Sequence, residues 1–192
     1  MTYWDTQANR WGVFSVPDED YDKYTARQVA FIVEQLDVGD DGLLIDVGCG
    51  IGRLTTPIAE AIPGAMVFGV DPSVEMRAIA CSTRPRIAGY RINLESFFHE
   101  TVHGAWCVLV FQHLDEAPIR EILRDVAGVL KPGGRFVSQW MLDKDQAFPR
   151  EADVLRVLEE EGFETVRHVD DSTVTRLWFA DNWLWVTSER VL

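Results

Sequence analysis

The stretch Leu43-Leu-Ile-Asp-Val-Gly-Cys-Gly-Ile-Gly52 decides the fold of this chain. Its first half, Leu43–Val47, is apolar apart from one aspartate, which is typical of a short strand buried inside a sheet. Glycines then stand at alternate positions, so that the backbone can approach a ligand without interference from side chains. The helical pattern that resumes at Arg53 would point its free N–H groups at the same ligand. The stretch therefore predicts a Rossmann-like binding loop.

The kind of ligand is narrowed by what the loop lacks. A dinucleotide fingerprint would place a glycine where the chain has Arg53, and a phosphate-binding P-loop would need a Gly-Lys-Ser/Thr sequence. Asp71 ends the next apolar run, Met66–Val70, at a distance from the loop that lets a carboxylate accept both hydroxyls of a ribose. The pattern indicates a nucleoside ligand that is neither NAD nor ATP.

Strands and helices are predicted to alternate along the rest of the chain. The predicted strands are Leu43–Val47, Met66–Val70, Ile87–Ile92, Trp106–Phe111, Arg135–Trp140, Phe163–Val169 and Trp183–Arg190. The predicted helices cover residues 23–36, 53–62, 73–81, 116–130 and 151–161, with Ser73 as an N-cap. This order predicts an α/β fold: a Rossmann-like, doubly wound, mostly parallel seven-stranded sheet with an antiparallel C-terminal edge strand. We expect one domain over residues 1–192, in which residues 1–38 form an aromatic and helical cap.

Composition limits the partners. The 192 residues carry 18 basic and 31 acidic side chains, a net charge of −13, so duplex nucleic acid is an unfavourable partner. No apolar run is long enough to cross a bilayer, and the start lacks the features of a signal peptide. The odd count of 3 cysteines does not form a disulfide framework. We expect a cytoplasmic monomer or homodimer that acts on a small molecule.

Several motifs together resemble the class I methyltransferases that use S-adenosylmethionine (SAM). Asp46–Gly52 resembles their first motif and Val70–Ser73 their second. Val129–Val137 resembles the segment before their fifth strand, and Val110–Leu114 the end of their fourth. Tyr3–Asp5 is similar to the aromatic N-terminus of members that act on small molecules. Ala105-Trp106 departs from the family, which usually opens this strand with an acidic residue.

The resemblance implies SAM as the cofactor and assigns residues to each part of it. Asp46 would reach the ammonium group, Asp71 would hold the ribose, and Pro72 would flank the adenine. Asn93 stands where the family more often has aspartate for the adenine amino group. The complete implied set is Asp46, Gly48, Cys49, Gly50, Gly52, Phe111, Gln112, Asp71, Pro72, Asn93 and Leu94. Cys49 belongs to it as a small buried residue and not as a nucleophile, because no basic partner is visible in the sequence.

His99-Glu-Thr-Val-His103 offers a competing interpretation, since it matches the zinc-hydrolase signature H-E-x-x-H. Glu121 or Asp125 could supply a third ligand. Gly104 would end such a helix at once, however, and a zinc hydrolase would leave the glycine loop and Asp71 unexplained. We therefore expect exposed histidines on a short connecting helix and no bound metal.

The catalytic candidate is His113, because it follows the fourth strand at the edge where open α/β sheets bind ligands and it titrates near neutrality. It would act as a base on the acceptor, or else pack or cap the following helix. Trp4, Trp11, His113 and Trp140 are the candidate acceptor-binding residues, with Phe14 as a further lid residue. Trp178, Phe179, Trp183 and Trp185 could form an aromatic acceptor wall or pack the edge of the sheet.

Two other functions stay open from the sequence. The domain could bind SAM as a sensor or partner subunit without catalysis. It could also use an adenosyl donor as aminopropyltransferases do, because these enzymes need an acidic cleft and the chain is acidic.

Overall fold

The computed structural model describes residues 18–39, 41–83, 87–142, 150–175 and 183–191. The strands are β1 (Leu43–Val47), β2 (Met66–Val70), β3 (Gly89–Arg91), β4 (Val102–Cys107), β5 (Leu130–Met141), β6 (Phe163–Asp170) and β7 (Trp183–Arg190). The α-helices are α1 (Asp18–Leu36), α2 (Thr55–Ala61), α3 (Val74–Thr83), α4 (Glu116–Val129), α5 (Glu151–Glu160) and α6 (Asp171–Thr175). Two short 3₁₀ helices cover Leu94–Ser96 and Phe111–His113.

The strands form a 7-stranded sheet in the order β3-β2-β1-β4-β5-β7-β6. The first five strands of that order run parallel, and β7 is antiparallel to both β5 and β6. Order reverses beside β1, where β2 lies on one side and β4 on the other. In open α/β sheets, this switch point at the carboxyl ends of the strands is where ligands bind.

Helices cover both faces of the sheet. α4 buries Ile119, Leu123 and Val126 against one face, at the spacing of a single helical stripe. α1 buries Ile32 and Leu36 against the other. The remaining members of the α4 face include Val154, Val157 and Leu158 of α5, and those of the α1 face include Ile58 of α2 and Val174 of α6. Helices thus pack on both faces of the sheet, and this packing fixes the strand ends at the switch point.

The predicted fold class is confirmed, with local differences. The antiparallel C-terminal strand β7 lies one place in from the edge, and β6 is the edge strand. β4 spans Val102–Cys107, four residues earlier than predicted, so residues 108–110 form the loop between the strand and the 3₁₀ helix that begins at Phe111. The polar region after β6 contains the short helix α6. Across the described residues, no helix has the length and apolar character that a membrane span requires.

Candidate functional site

The glycine loop is tied to the end of β2. The backbone N–H groups of Gly48 and Cys49 both donate to the carbonyl oxygen of Val70, over 2.7 and 3.0 Å. Gly48 has a φ of 73°, and a Cβ built there would lie 2.3 Å from Cγ2 of Val110. The loop therefore passes so close to the segment after β4 that only glycine fits at position 48.

Asp71 fastens the same loop from the end of β2. Its Oδ2 accepts the N–H of Gly50 at 2.9 Å, and its Oδ1 accepts the N–H of Ser73 at 2.8 Å. Ser73 in turn caps α3 as predicted, because its hydroxyl accepts the N–H of Met76. Each carboxylate oxygen has two lone pairs, so Asp71 keeps acceptor capacity for ligand hydroxyls while it holds the loop.

A cavity of about 380 Å³ opens beside Asp71. It brings together seven of the predicted site residues, which are Gly48, Gly50, Asp71, Pro72, Asn93, Leu94 and His113. The remaining lining includes Leu109 and Val110 from the segment after β4 and the acidic residues Glu121 and Asp125 from α4. None of the described residues that line this cavity is a lysine or an arginine. Its charge therefore disfavours a phosphate-bearing ligand.

A second, smaller cavity of about 80 Å³ adjoins the first. The two cavities share Gly48, Gly50, Met76 and Leu109 in their linings. The smaller one adds Asp46, Cys49 and Arg53. A Cβ built on Gly50 would meet no atom within 4 Å, so this glycine borders open space where the cavities meet.

Asp46 is a buried acid at the carboxyl end of β1. It is 4% exposed, and the hydroxyl of Thr55 donates to its Oδ2 over 2.6 Å. Burial raises the pKa of Asp46 to about 7, although the Thr55 hydrogen bond and the Arg53 charge lower it. Because this pKa lies near neutrality, a cationic ligand beside Asp46 would favour the ionised form of its carboxyl group.

Arg53 is a site residue that sequence reasoning missed. Its side chain lines the smaller cavity at 8% exposure, and its guanidinium donates to Thr25 and Gln28 of α1. In the sequence, Arg53 was noted only because it stands where a dinucleotide-binding fingerprint would have its third glycine. A cation directly after the last glycine of a binding loop was the available signal.

The segment after β4 differs from the prediction, because β4 ends at Cys107 and the ligand-facing positions come earlier. Leu109 and Val110 line the larger cavity, and Leu109 has a φ of 61°. Phe111 is 3% exposed and packs on Trp140, with the ring centroids 4.3 Å apart. Neither Phe111 nor Gln112 lines either cavity.

His113 follows on the 3₁₀ helix and lines the larger cavity. Partial burial lowers its pKa from the ordinary value, so the imidazole is neutral at pH 7. It shares this cavity with Asp71 and Asn93, and it does not line the smaller cavity that holds Asp46.

Among the other predicted site residues, Gly52 forms the loop turn, where its N–H donates to the carbonyl of Cys49. Trp140 is fully buried in the core, and its indole N–H donates to Ser138 Oγ over 2.8 Å. Trp140 therefore lines neither cavity, contrary to its prediction as an acceptor-binding residue. Burial raises the pKa of the Cys49 thiol well above its usual value, which agrees with a small buried residue and not a nucleophile. Trp4, Trp11, Phe14, Trp178 and Phe179 lie outside the described residues.

Two aromatic residues of β7 belong to the edge of the sheet. Trp185 is fully buried, and its indole N–H donates to the Asp171 carboxylate, which also accepts from Gln139. Trp183 is half-buried. Trp185 therefore serves the packing of β7, which was the alternative to an acceptor wall.

The expected connecting helix at His99–His103 is wrong, because His103 lies inside β4. The Nδ1 of His103 accepts the N–H of Leu43 at 3.0 Å, and its Nε2 lies 2.7 Å from the Lys131 ammonium. Glu100 pairs with Arg190 at 3.0 Å. Glu100 and His103 thus have separate partners, and no cluster of metal-ligating side chains occurs among the residues that the structure describes.

The chain is similar in sequence to known methyltransferases. Residues 45–136 match the sequence model of a methyltransferase domain family. The ubiquinone/menaquinone biosynthesis C-methyltransferase of Syntrophotalea carbinolica is 27% identical, over 72% of this chain and 75% of the relative. The trans-aconitate 2-methyltransferase of Azoarcus sp. is 29% identical, over 67% of this chain and 52% of the relative. The chain thus spans about half the length of this second relative.

Solved structures agree in fold. The geranyl diphosphate C-methyltransferase of Streptomyces coelicolor, crystallised with S-adenosyl-L-homocysteine, superposes with a TM-score of 0.70 at 16% identity. The superposition covers 86% of this chain and 76% of that one. With the glycine loop, Asp71 and the adjoining cavities at the switch point of the sheet, the match of residues 45–136 and these relatives support a class I SAM-dependent methyltransferase.

Proposed function

We propose that this chain transfers a methyl group from SAM to a small organic acceptor. The observation that carries the proposal is the pair of adjoining cavities that share Gly48 and Gly50. The larger has room for a nucleoside beside Asp71 and Asn93, and the smaller has opposite charges for an amino-acid end. A ligand with both parts would run past the glycine loop.

The residues present fit SAM. Gly50 leaves open space at the junction of the cavities, and a side chain there would fill it. Asp46 offers a carboxylate to the ammonium group, and Asp71 and Asn93 border the nucleoside cavity. The part of the larger cavity's lining that the structure describes holds no lysine or arginine, which fits a donor without phosphate. This argues against NAD, whose pyrophosphate would need cationic or open backbone contacts.

Methyl transfer requires the protein chiefly to position the donor and the acceptor and to exclude water from the reacting atoms. When bound, SAM supplies a methyl group on a positive sulfur; as the acceptor atom bonds to the methyl carbon, the C–S bond breaks and its electron pair stays on sulfur. The loop residues hold the donor, and the packed segment after β4 excludes water from one side. His113 would accept the proton of a hydroxyl or protonated nitrogen acceptor through its neutral imidazole.

A small acceptor is supported by the relatives. One is named for ubiquinone/menaquinone biosynthesis and the other for trans-aconitate, and both names refer to small organic molecules. Cys49, Cys81 and Cys107 are free thiols, which is consistent with a reducing compartment. We keep Trp4 and Trp11 as candidate lid residues over the acceptor.

The test is calorimetric titration of the protein with SAM and S-adenosylhomocysteine (SAH), followed by an acceptor screen that detects SAH formation. Asp71→Asn is the diagnostic variant, since it removes the charge and keeps the size of the side chain, although its single oxygen can accept only one of the two backbone N–H groups. Asp170→Asn, on the exposed side of β6, is the control for loss of one acidic charge.

We expect the wild type and Asp170→Asn to bind both ligands and Asp71→Asn to bind at least tenfold more weakly, because a charge-assisted hydrogen bond is lost. Failure of the wild type to bind either ligand would sink the proposal. Tight binding without turnover on a broad acceptor panel would favour the sensor or partner-subunit alternative.

A further inference from the structure

The smaller cavity holds one acidic and one basic side chain, both nearly buried. Asp46 and Arg53 are 4% and 8% exposed, and the Arg53 charge acts on the Asp46 carboxyl group. Burying a charge is costly unless it has partners that satisfy it. A cavity of about 80 Å³ with such a pair is built for a small ligand group that itself carries charge.

Arg53 is held in place from outside the loop. Its Nη1 donates to Oε1 of Gln28 over 2.7 Å and to Oγ1 of Thr25 over 3.1 Å. Gln28 is fully buried, and the guanidinium carbon lies 5.8 Å from the ring centroid of Tyr24. Burial, with the Asp171 charge, raises the pKa of Tyr24 to about 12, so its phenol stays neutral beside the cation. These α1 residues fix the direction of the Arg53 fork.

The opposite charges match an amino-acid zwitterion. A carboxylate accepts well from a guanidinium fork, and an ammonium group donates to a carboxylate. We propose that Arg53, positioned by Thr25 and Gln28 of α1, makes the site select a methyl donor that carries a free α-carboxylate. The inference rests on the proposed function, because it assigns the smaller cavity to the amino-acid end of SAM.

Two consequences follow. The determinant includes α1, which lies outside residues 45–136 that match the methyltransferase domain family. A decarboxylated donor, such as an aminopropyltransferase would use, has no carboxylate that could accept from the Arg53 guanidinium. This argues against the aminopropyl alternative despite the acidity of the chain.

The test compares two ligands by calorimetry. SAH carries the carboxylate, and S-adenosyl-3-thiopropylamine is the same molecule without it. We expect the wild type to prefer SAH by at least about tenfold, the size of one charge-assisted hydrogen bond. Arg53→Gln should reduce that preference to less than about threefold, chiefly by weakening SAH.

Matched variants separate recognition from folding. Arg156→Gln removes one positive charge from the exposed face of α5 and should keep the wild-type preference. Arg53→Lys keeps the charge without the fork and should give an intermediate preference. Gln28→Glu would place a carboxylate beside the Arg53 guanidinium. This variant should bind SAH more weakly, while it binds the decarboxylated ligand as the wild type does. A purely structural role for Gln28 would weaken both ligands alike.

The outcomes are distinguishable. If the wild type binds neither ligand, the proposed function fails. If it binds SAH but Arg53→Gln and Gln28→Glu keep the wild-type preference, the carboxylate inference is overturned and the methyltransferase proposal stands. Should Arg53→Gln unfold, as judged by circular dichroism, the Arg53→Lys and Gln28→Glu preferences decide the matter.

Discussion

At the scale of single residues, Asp46 links ligand binding to pH. Its pKa is raised by burial to about 7 in the folded protein, against an ordinary value near 4. The folded state therefore holds a proton between about pH 4 and pH 7 that the unfolded state has lost. By linkage, the contribution of Asp46 to stability falls as pH rises through that window.

Ligand binding should follow the opposite course, because the ammonium group of SAH favours the ionised carboxylate. We expect SAH to bind about tenfold more weakly at pH 6 than at pH 8, since each pH unit below the pKa costs a factor of ten. Calorimetry near pH 7 in two buffers of different ionisation enthalpy should show proton release on binding. Asp46→Asn should abolish the proton release, and an unchanged release in this variant would contradict the assignment.

His113 makes a separate prediction about rate. Because burial lowers the pKa of its imidazole, kcat at saturating SAM should fall only below the ordinary histidine range, with its acid limb under pH 6.5. Saturating SAM keeps Asp46 ionised, so its titration does not contribute. His113→Gln should lower kcat by about 10² or more and remove the limb. A variant that kept the limb would show that another group is the base.

Gly48 and Gly50 should respond differently to the same substitution. Both have positive φ, 73° and 53°, so alanine costs about 1–2 kcal/mol at either position. At Gly48 the new Cβ would also meet Val110 at 2.3 Å, which adds roughly 1–3 kcal/mol of overpacking. At Gly50 it would enter the open junction of the cavities. Urea unfolding should show Gly48→Ala as the less stable variant, and calorimetry should show that Gly50→Ala loses SAH binding at a smaller cost in stability.

At the scale of elements, some boundaries were predictable to the residue and others were not. β1, β2 and β7 match their predicted ranges, and the runs of β1 and β2 end directly at Gly48 and at Asp71. β4 was predicted four residues late. The apolar run Trp106–Phe111 continues past the strand into the segment that lines the cavity, and periodicity cannot separate a buried strand from a buried ligand loop.

The site shows the same division. Asp71 and the loop glycines were predictable because their roles depend on neighbours in sequence and on the strand order. The role of Arg53 was not predictable, because its partner Gln28 lies 25 residues away in the sequence, on the separate helix α1. A contact of that kind exists only after α1 has docked.

The short helix α6 is predicted to hold the two C-terminal strands onto β5. Asp171 is 1% exposed, and its carboxylate accepts from Gln139 of β5 and Trp185 of β7. Asp171→Ala would leave both donors buried without an acceptor, at a cost of about 2–5 kcal/mol. Urea unfolding measured by tryptophan fluorescence checks this value. Asp171→Asn, which keeps one acceptor, should cost less, and equal effects of the two variants would argue against the hydrogen bonds as the cause.

At the scale of the whole molecule, SAH binding should slow amide hydrogen exchange by different amounts in different parts of the chain. A ligand at 100 times its Kd stabilises the folded state by about 2.7 kcal/mol. Hydrogen exchange of the residues that line the cavities, in the ranges 48–53 and 109–113, should slow directly. Residues 24–28 of α1 line neither cavity, and they should slow as well because Thr25 and Gln28 hold Arg53.

The variant Arg53→Gln supplies the control for this prediction. It should keep protection of Val110 and His113, which line only the larger cavity, and lose the added protection of residues 24–28. The outer layer formed by α5 and β6, residues 151–170, contains no residue of either cavity, so its exchange below global unfolding should stay unchanged. Uniform slowing across all of these segments in both proteins would mean that the ligand acts only through global stability, and α1 would then have no specific part in donor recognition.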